Sequence, residues 1–203
     1  MKMGKKRLLF EIIIFLCLVT VYIVLNKKLA GKAIFICPVI LLILAYFIYS
    51  VKSRKNALKE FGVRFDNIIP ASKLTFLFFF PFVILILIIF IIGSSDPPPL
   101  GFYYTFLLYP VWGISQQFIF QSFLHNRLLT LGVAPWSILI VAIVYASVHV
   151  SSTSFFLIAL IGGLISSYIF YKYPNIIPIG IAHGIIGSLV YYLIFRKDVL
   201  SSF

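Results

Sequence analysis

Seven continuously apolar stretches, at approximately 8–25, 33–51, 73–93, 101–124, 135–150, 152–171 and 175–195, take up most of this 203-residue chain. A bilayer core about 30 Å thick is crossed by roughly 20 such residues in an α-helix. Inside that core every backbone amide has to bond within its own segment or within a closed barrel. Barrel strands would alternate in polarity over about 10 residues, whereas these runs are unbroken and rich in Ile, Leu and Phe. They predict an all-α protein, a polytopic transmembrane helical bundle of roughly seven helices. Composition agrees: 62% of residues are hydrophobic, 11% are charged, and the mean hydropathy is +1.12, values far from those of soluble domains.

The charges lie mostly between the apolar runs. Net charge is +12, and Lys/Arg concentrated in loops is the pattern of cytoplasmic flanks, not of a nucleic-acid-binding surface. With the N-terminus inside, twelve Lys/Arg fall on the cytoplasmic side (the N-terminus, residues 52–73, Arg127 and Lys172) and five outside (Lys27, Lys28, Lys32, Arg196, Lys197). The expectation is a multi-pass protein of the cell membrane with a cytoplasmic N-terminus and the lipid bilayer as its first partner. The basic start, Lys5-Lys6-Arg7, resembles that of a signal peptide, but the run after it is long and has no small-residue cleavage site, so it is read as a permanent helix. Cys17 and Cys37 lie in apolar runs and are expected to be small buried hydrophobes, with no disulfide or thiolate metal site.

Two breaks organise the chain. Residues 51–72 interleave Lys52, Arg54, Lys55, Lys59, Glu60, Arg64 and Asp66 with Leu58, Phe61, Val63 and Phe65. This segment either lies along the anionic inner leaflet or is a solvated linker whose apolar residues tuck against helix ends. The second break, Ser94 to Gly101 with Pro97-Pro98-Pro99, cannot be helical. It divides N-terminal anchor helices with their basic loop, 1–96, from a core domain, 97–203. Inverted-repeat transporters have matched broken helices in both halves; here Pro/Gly interruptions with polar clusters occur only in the second, which argues against transport.

That second half carries polar groups in three apolar helices. In Trp112 to His125, Gln117, Gln121 and His125 recur at i, i+4 and i+8 and form one stripe on an α-helix, with Gln116 about 100° to its side. Tyr145 and His149 share a face near a helix end. His183 sits on a glycine-rich face, Gly180, Gly184 and Gly187, which allows another helix to approach closely. Amides and imidazoles in hydrocarbon are costly unless partnered, so these side chains are expected to face one another inside the bundle. The plainer alternative is that they serve only as interhelical hydrogen bonds.

In order and spacing, Gln116-Gln117-x-x-x-Gln121, Tyr145-x-x-x-His149 and His183-x-x-x-Gly187 resemble the Glu-Glu-x-x-x-Arg, Phe-x-x-x-His and His-x-x-x-Asn/Asp motifs of the CPBP or Abi family. That family comprises intramembrane CAAX-type prenyl endopeptidases and bacteriocin-processing or immunity proteins. The resemblance covers approximately residues 100–195, with Phe120 and the run Ile177-Pro178-Ile179-Gly180-Ile181-Ala182-His183 as supporting context. It implies a helical bundle with a polar site in the membrane, where paired glutamates and the first His activate water and the second His with the Asn supports an oxyanion. The matching positions here are Gln116, Gln117, His149 and His183 as the catalytic set. Gln121, His125, Tyr145 and Gly187 would bind substrate or support the site.

The departures are chemical. An amide has no useful basicity, so Gln116 and Gln117 can position a water but cannot take its proton. None of the five acids, Glu11, Glu60, Asp66, Asp96 and Asp198, lies between Pro97 and Lys197. A carboxylate base would have to come from Glu11 or a partner chain; neutral His149 or His183 could serve instead. No cofactor is expected: two histidines fall short of the usual three protein ligands of catalytic zinc. Loss of Glu-Glu and Arg together reads as neutralisation of one buried ionic cluster. The sequence therefore points to a CAAX-type endopeptidase homologue, formally a hydrolase, with negligible activity toward membrane-associated or prenylated peptides. The alternative is a pseudoenzyme that binds a membrane-embedded peptide, lipid or protein, as a scaffold or bacteriocin-immunity protein would.

Overall fold

Every apolar run forms a helix, since only a helix satisfies its own backbone without water. The computed structural model describes residues 4–26, 32–53, 55–93, 98, 100–150 and 152–196. In chain order these give α1 (Lys5–Asn26), α2 (Lys32–Ser53), a one-turn α3 (Ala57–Glu60), α4 (Ile68–Gly93) and α5 (Leu100–Gln117). A π-helical stretch, Phe118–His125, carries α5 into α6 (Asn126–Thr130), followed by α7 (Trp136–Ser147), α8 (Thr153–Lys172) and α9 (Ile176–Leu189). A second π stretch, Val190–Ile194, ends the last helix, and no strand occurs among the described residues. Lys2, Lys27, Lys28, Arg54, Asp96, Lys197, Asp198, most of the proline-rich break and the side chains of Lys32 and Cys37 lie outside the described residues.

Among the described residues, four helices are long and apolar enough to cross a membrane: Lys5–Val24, Ile68–Gly93, Thr153–Lys172 and Ile176–Ile194. The fold is thus a helical membrane bundle in which some predicted runs are not simple spans. Ser115, Gln116 and Gln117 dilute α5, and α7 stops at Ser147, short of the predicted residue 150. The stripe predicted on a regular α-helix sits instead on π-helical backbone from Phe118 onward. A π turn widens the helix locally and is common at functional sites; here it re-aims successive polar side chains.

Caps fix where the last two helices begin. Ser152 Oγ accepts from the Phe155 amide at 3.2 Å, and Asn175 Oδ1 accepts from the Ile177 amide at 3.1 Å, each satisfying an otherwise orphan helix-start donor. The closest helix pair is α5 with α9. A Cβ on Gly113 would collide with the Gly180 carbonyl, one on Gly184 with the Pro110 backbone, and one on Gly180 would stand 2.5 Å from Ile114 Cα. Glycine at these three positions lets the two backbones touch. That crossing sets the distance between Gln117, one turn beyond Gly113, and His183, beside Gly184.

The segment between α2 and α4 is a linker that tucks. Ala57 and Phe61 are buried, and Phe61 packs on Tyr46, Phe47 and Phe118, while Leu58 and Phe65 stay exposed. Backbone carbonyls tie the segment to the second half: Glu60 O accepts from Asn126 Nδ2 at 2.7 Å, Phe61 O from Ser122 Oγ, Gly62 O from the Ile176 amide at 3.0 Å and Arg64 O from Asn175 Nδ2 at 2.7 Å. Gly62 adopts φ +72° with its Cα side against Phe170 and Pro174, a left-handed conformation natural to glycine.

Two expectations need correcting at this end of the bundle. Arg127 is not a free loop charge: its side chain is 4% exposed and its Nε lies 2.7 Å from Glu11 Oε2. It also donates to Phe123 O and Tyr46 Oη, both at 2.8 Å, and sits 3.5 Å from the Phe123 ring centroid. Cys17 is exposed, not buried, because α1 packs through the narrow strip Leu8, Ile12 and Phe15 and turns its other faces outward.

Candidate functional site

Where α5 meets α9, two side chains converge on one imidazole. His183 Nδ1 lies 3.2 Å from Gln117 Nε2 and 3.0 Å from Tyr145 Oη. An amide nitrogen only donates, so His183 Nδ1 accepts and its proton resides on Nε2. The Tyr145 ring stands edge-on to His183, with centroids 5.6 Å apart at 82°. On Tyr145 also packs His149, at 4.5 Å, from the turn that follows α7. His149 Nδ1 lies 2.9 Å from Tyr145 O; a carbonyl only accepts, so Nδ1 carries the proton and Nε2 keeps its lone pair. The two imidazoles thus hold opposite tautomers around one phenol: the Nε2 proton of His183 lies beside the same Tyr145 Oη, at 3.4 Å, whereas His149 Nε2 is an acceptor.

The neighbouring glutamines end in unmet acceptors. Gln116 Oε1 and Gln117 Oε1 are both buried without a hydrogen-bond partner, although Gln117 is only 1% exposed. Such an atom costs about 1–3 kcal/mol in a folded interior.

Gln121 and His125 do not join the His183 contacts. Gln121 Oε1 accepts from His125 Nδ1 at 2.8 Å, His125 Nε2 accepts from Ser137 Oγ at 3.0 Å, and Gln121 Nε2 donates to Ser167 Oγ at 3.0 Å. All four residues are at most 1% exposed. The polar stripe thus divides among three neighbours: Gln117 turns to α9, Gln121 to α8 and His125 to Ser137 of α7. The second set is a head-to-tail chain whose members bond one another, which is what stabilises a polar network away from water.

At Gly187 an added side chain would have to displace the Tyr109 ring. A Cβ there would come 2.8 Å from Tyr109 Cε1, so the Tyr109 ring fills the space beside the position that the CPBP-like motif gives to Asn or Asp. Sequence reasoning missed Tyr109, Ser137 and Ser167, together with Phe155, whose ring is parallel to His149 within 6° at 6.4 Å. Isolated serines in the apolar runs of α7 and α8 were a usable signal; Tyr109 offered none among so many aromatics.

Glu11, the one acid within a described apolar helix, is engaged by Arg127 and, at 3.0 Å, by Arg7. Among the described residues no three His, Cys, Asp or Glu side chains come together as metal ligands. In the loop, the Arg64 guanidinium hydrogen-bonds Asp66, with Lys59 also beside it, and holds the Asp66 carboxyl well below the usual carboxylate range.

Residues 83–189 match the family model described as Type II CAAX prenyl endopeptidase Rce1-like. No curated protein and no solved structure matches the chain.

Proposed function

From the premise that this chain belongs to the Type II CAAX prenyl endopeptidase Rce1-like family, we propose that it keeps that family's membrane-embedded site for peptides but not its hydrolytic power. The observation that carries this reading is the Gln117–His183–Tyr145 cluster, hydrogen-bonded and entirely neutral, where the CPBP-like motif would place carboxylates. Deprotonating a water there would create hydroxide beside imidazolium in a low-dielectric interior, with no described anion to stabilise the cation. Gln116, Gln117, His149 and His183 remain the residues that would meet a substrate, with Tyr145 positioning both imidazoles. The occupant is a membrane-associated or prenylated peptide, held without being cut, and the protein acts as a binding or immunity-type pseudoenzyme.

The reading places the protein in the cell membrane as a multi-pass protein with a cytoplasmic N-terminus. Support comes from the company the charges keep. The loop after α2, the α6 end bearing Arg127 and the loop between α8 and α9 hydrogen-bond to one another directly or through Glu11, Asn126 and Asn175, so residues assigned to one face by charge also meet in space. Cysteine labelling at Ser53 checks the orientation: protection from impermeant reagent in intact cells is expected, and labelling from outside reverses it.

The activity test incubates wild type and a Gln116→Glu/Gln117→Glu variant, both in nanodiscs, with a prenylated carboxy-terminal peptide and follows products by mass spectrometry. Wild type should release no product, and the variant should gain cleavage that His149→Ala removes. Gln121→Arg and Gly187→Asn are poor companions in that test. The first forces a guanidinium into the filled space between Ser167 and His125, and the second drives a side chain into Tyr109. His149-dependent cleavage by wild type would overturn the proposal.

A further inference from the structure

The buried amide oxygens of Gln117, which touches His183, and of its chain neighbour Gln116 lack donors, and the polar groups around them supply none. Gln117 cannot answer its own need by turning over, because its Nε2 is engaged by His183 Nδ1 and rotation would orphan that nitrogen instead. Ser115, next to Gln116 in the chain, gives its hydroxyl to Val111 O at 3.0 Å. His149 spends its Nδ1 proton on Tyr145 O, which leaves its Nε2 as a further acceptor. The region is acceptor-rich and uncharged, with Gln117 and Tyr145 buried and Gln116, His149 and His183 half-buried.

An ammonium or guanidinium ligand would bring donors, but also a charge that nothing described can balance. Glu11 is paired with Arg127, Asp66 with Arg64, and Glu60 lies on the connecting segment. Buried cations are held where they are paired. The donors must therefore be neutral, and in a site that takes a peptide the neutral donor the occupant itself brings is the backbone N–H of a segment not already bonded within a helix. Such a segment in hydrocarbon lacks partners for its amides, so unmet N–H groups and unmet C=O groups correct each other.

We infer that Gln116 Oε1 and Gln117 Oε1 receive backbone N–H groups of an unwound peptide segment. The glutamine pair is then a peptide-binding element in place of a water-activating one. This deepens the reading under Proposed function and rests on it. Glutamine suits the task better than glutamate, since a neutral acceptor binds an amide N–H without a buried charge to desolvate.

The test uses full-length protein in nanodiscs and a fluorescent prenylated carboxy-terminal pentapeptide, with binding followed by anisotropy. A series methylated at one backbone nitrogen at a time removes single donors and leaves the apolar groups in place. Methylation at one or two positions should weaken binding to wild type about tenfold, the worth of a hydrogen bond that leaves a buried acceptor empty. Gln117→Met and Gln116→Met should each weaken the parent peptide similarly and erase sensitivity to one methyl position. Equal binding of every methylated peptide would overturn the inference while leaving the peptide-binding reading intact. Full competition by the prenyl alcohol alone would likewise overturn it, assigning the oxygens to a hydroxyl. No binding of any peptide would bring down the reading and the inference together.

Discussion

The chain handles buried polarity in two ways. At the end where α1, α2 and α6 meet, it buries a full ionic pair, with Arg127 at 4% and Glu11 at 15% side-chain exposure, and surrounds the guanidinium with Phe123 O, Tyr46 Oη and an aromatic face. At the α5–α9 crossing it uses only amides, imidazoles and a phenol. The lack of charge at the crossing therefore does not reflect a general intolerance of buried ions. The ionic end fastens helices together, whereas the neutral crossing leaves two acceptors open.

The contrast breaks most visibly at the glycines that create the crossing. Gly184→Leu should cost at least about 3 kcal/mol, because the new side chain meets Pro110 backbone that cannot yield; thermal unfolding in detergent reads the loss. Gly162→Ala, where a Cβ meets nothing within 4 Å, should be neutral or slightly stabilising by its gain in helix propensity. If both variants unfold alike, close backbone contact is not what holds the site.

Next in size is the ionic end. Arg127→Met leaves Glu11 mostly buried with only Arg7 beside it and should cost about 2–3 kcal/mol, less than a fully buried pair because Glu11 keeps some exposure. Arg127→Met combined with Glu11→Leu should recover most of that loss. A double variant as unstable as the single one would mean that the aromatic and hydrogen-bond contacts of the guanidinium outweigh the charge pairing.

The neutral chain behind the site should respond more weakly. Ser137→Ala removes the donor to His125 Nε2 and should cost about 1–3 kcal/mol without changing peptide binding, since this chain does not contact His183. Smallest is the loop pair. The folded Asp66 carboxyl is held below its ordinary value chiefly by the Arg64 hydrogen bond, so its contribution is present above the unfolded carboxylate range, roughly pH 4, and is lost as pH falls through the folded value. Asp66→Asn should shift unfolding barely at neutral pH, and the difference from wild type should shrink on acidification.

Much of this was legible in the chain. All seven apolar runs became helices within a few residues of their predicted ends, because hydrocarbon leaves the backbone no other choice. The pairing of Tyr145 with His149 and the glycine face around His183 followed from helical spacing. What spacing could not give was backbone geometry that departs from the α-helix: the π turn at Phe118–His125 sends Gln121 and His125 to Ser167 and Ser137, away from His183. Nor could it give contacts across long sequence separation, such as Glu11 with Arg127 or Tyr109 against Gly187, which only the packed bundle decides.

The claim at the centre is that the crossing carries no charge. Solid-state nitrogen NMR of protein labelled at histidine, in lipid at neutral pH, reads it directly through the protonation of each ring nitrogen. Two neutral imidazoles are expected there, His149 protonated at Nδ1 and His183 at Nε2, each assigned by its loss in the corresponding His→Ala variant. An imidazolium at either position would contradict the account, because it would require a buried anion at the site and with it the means to activate water.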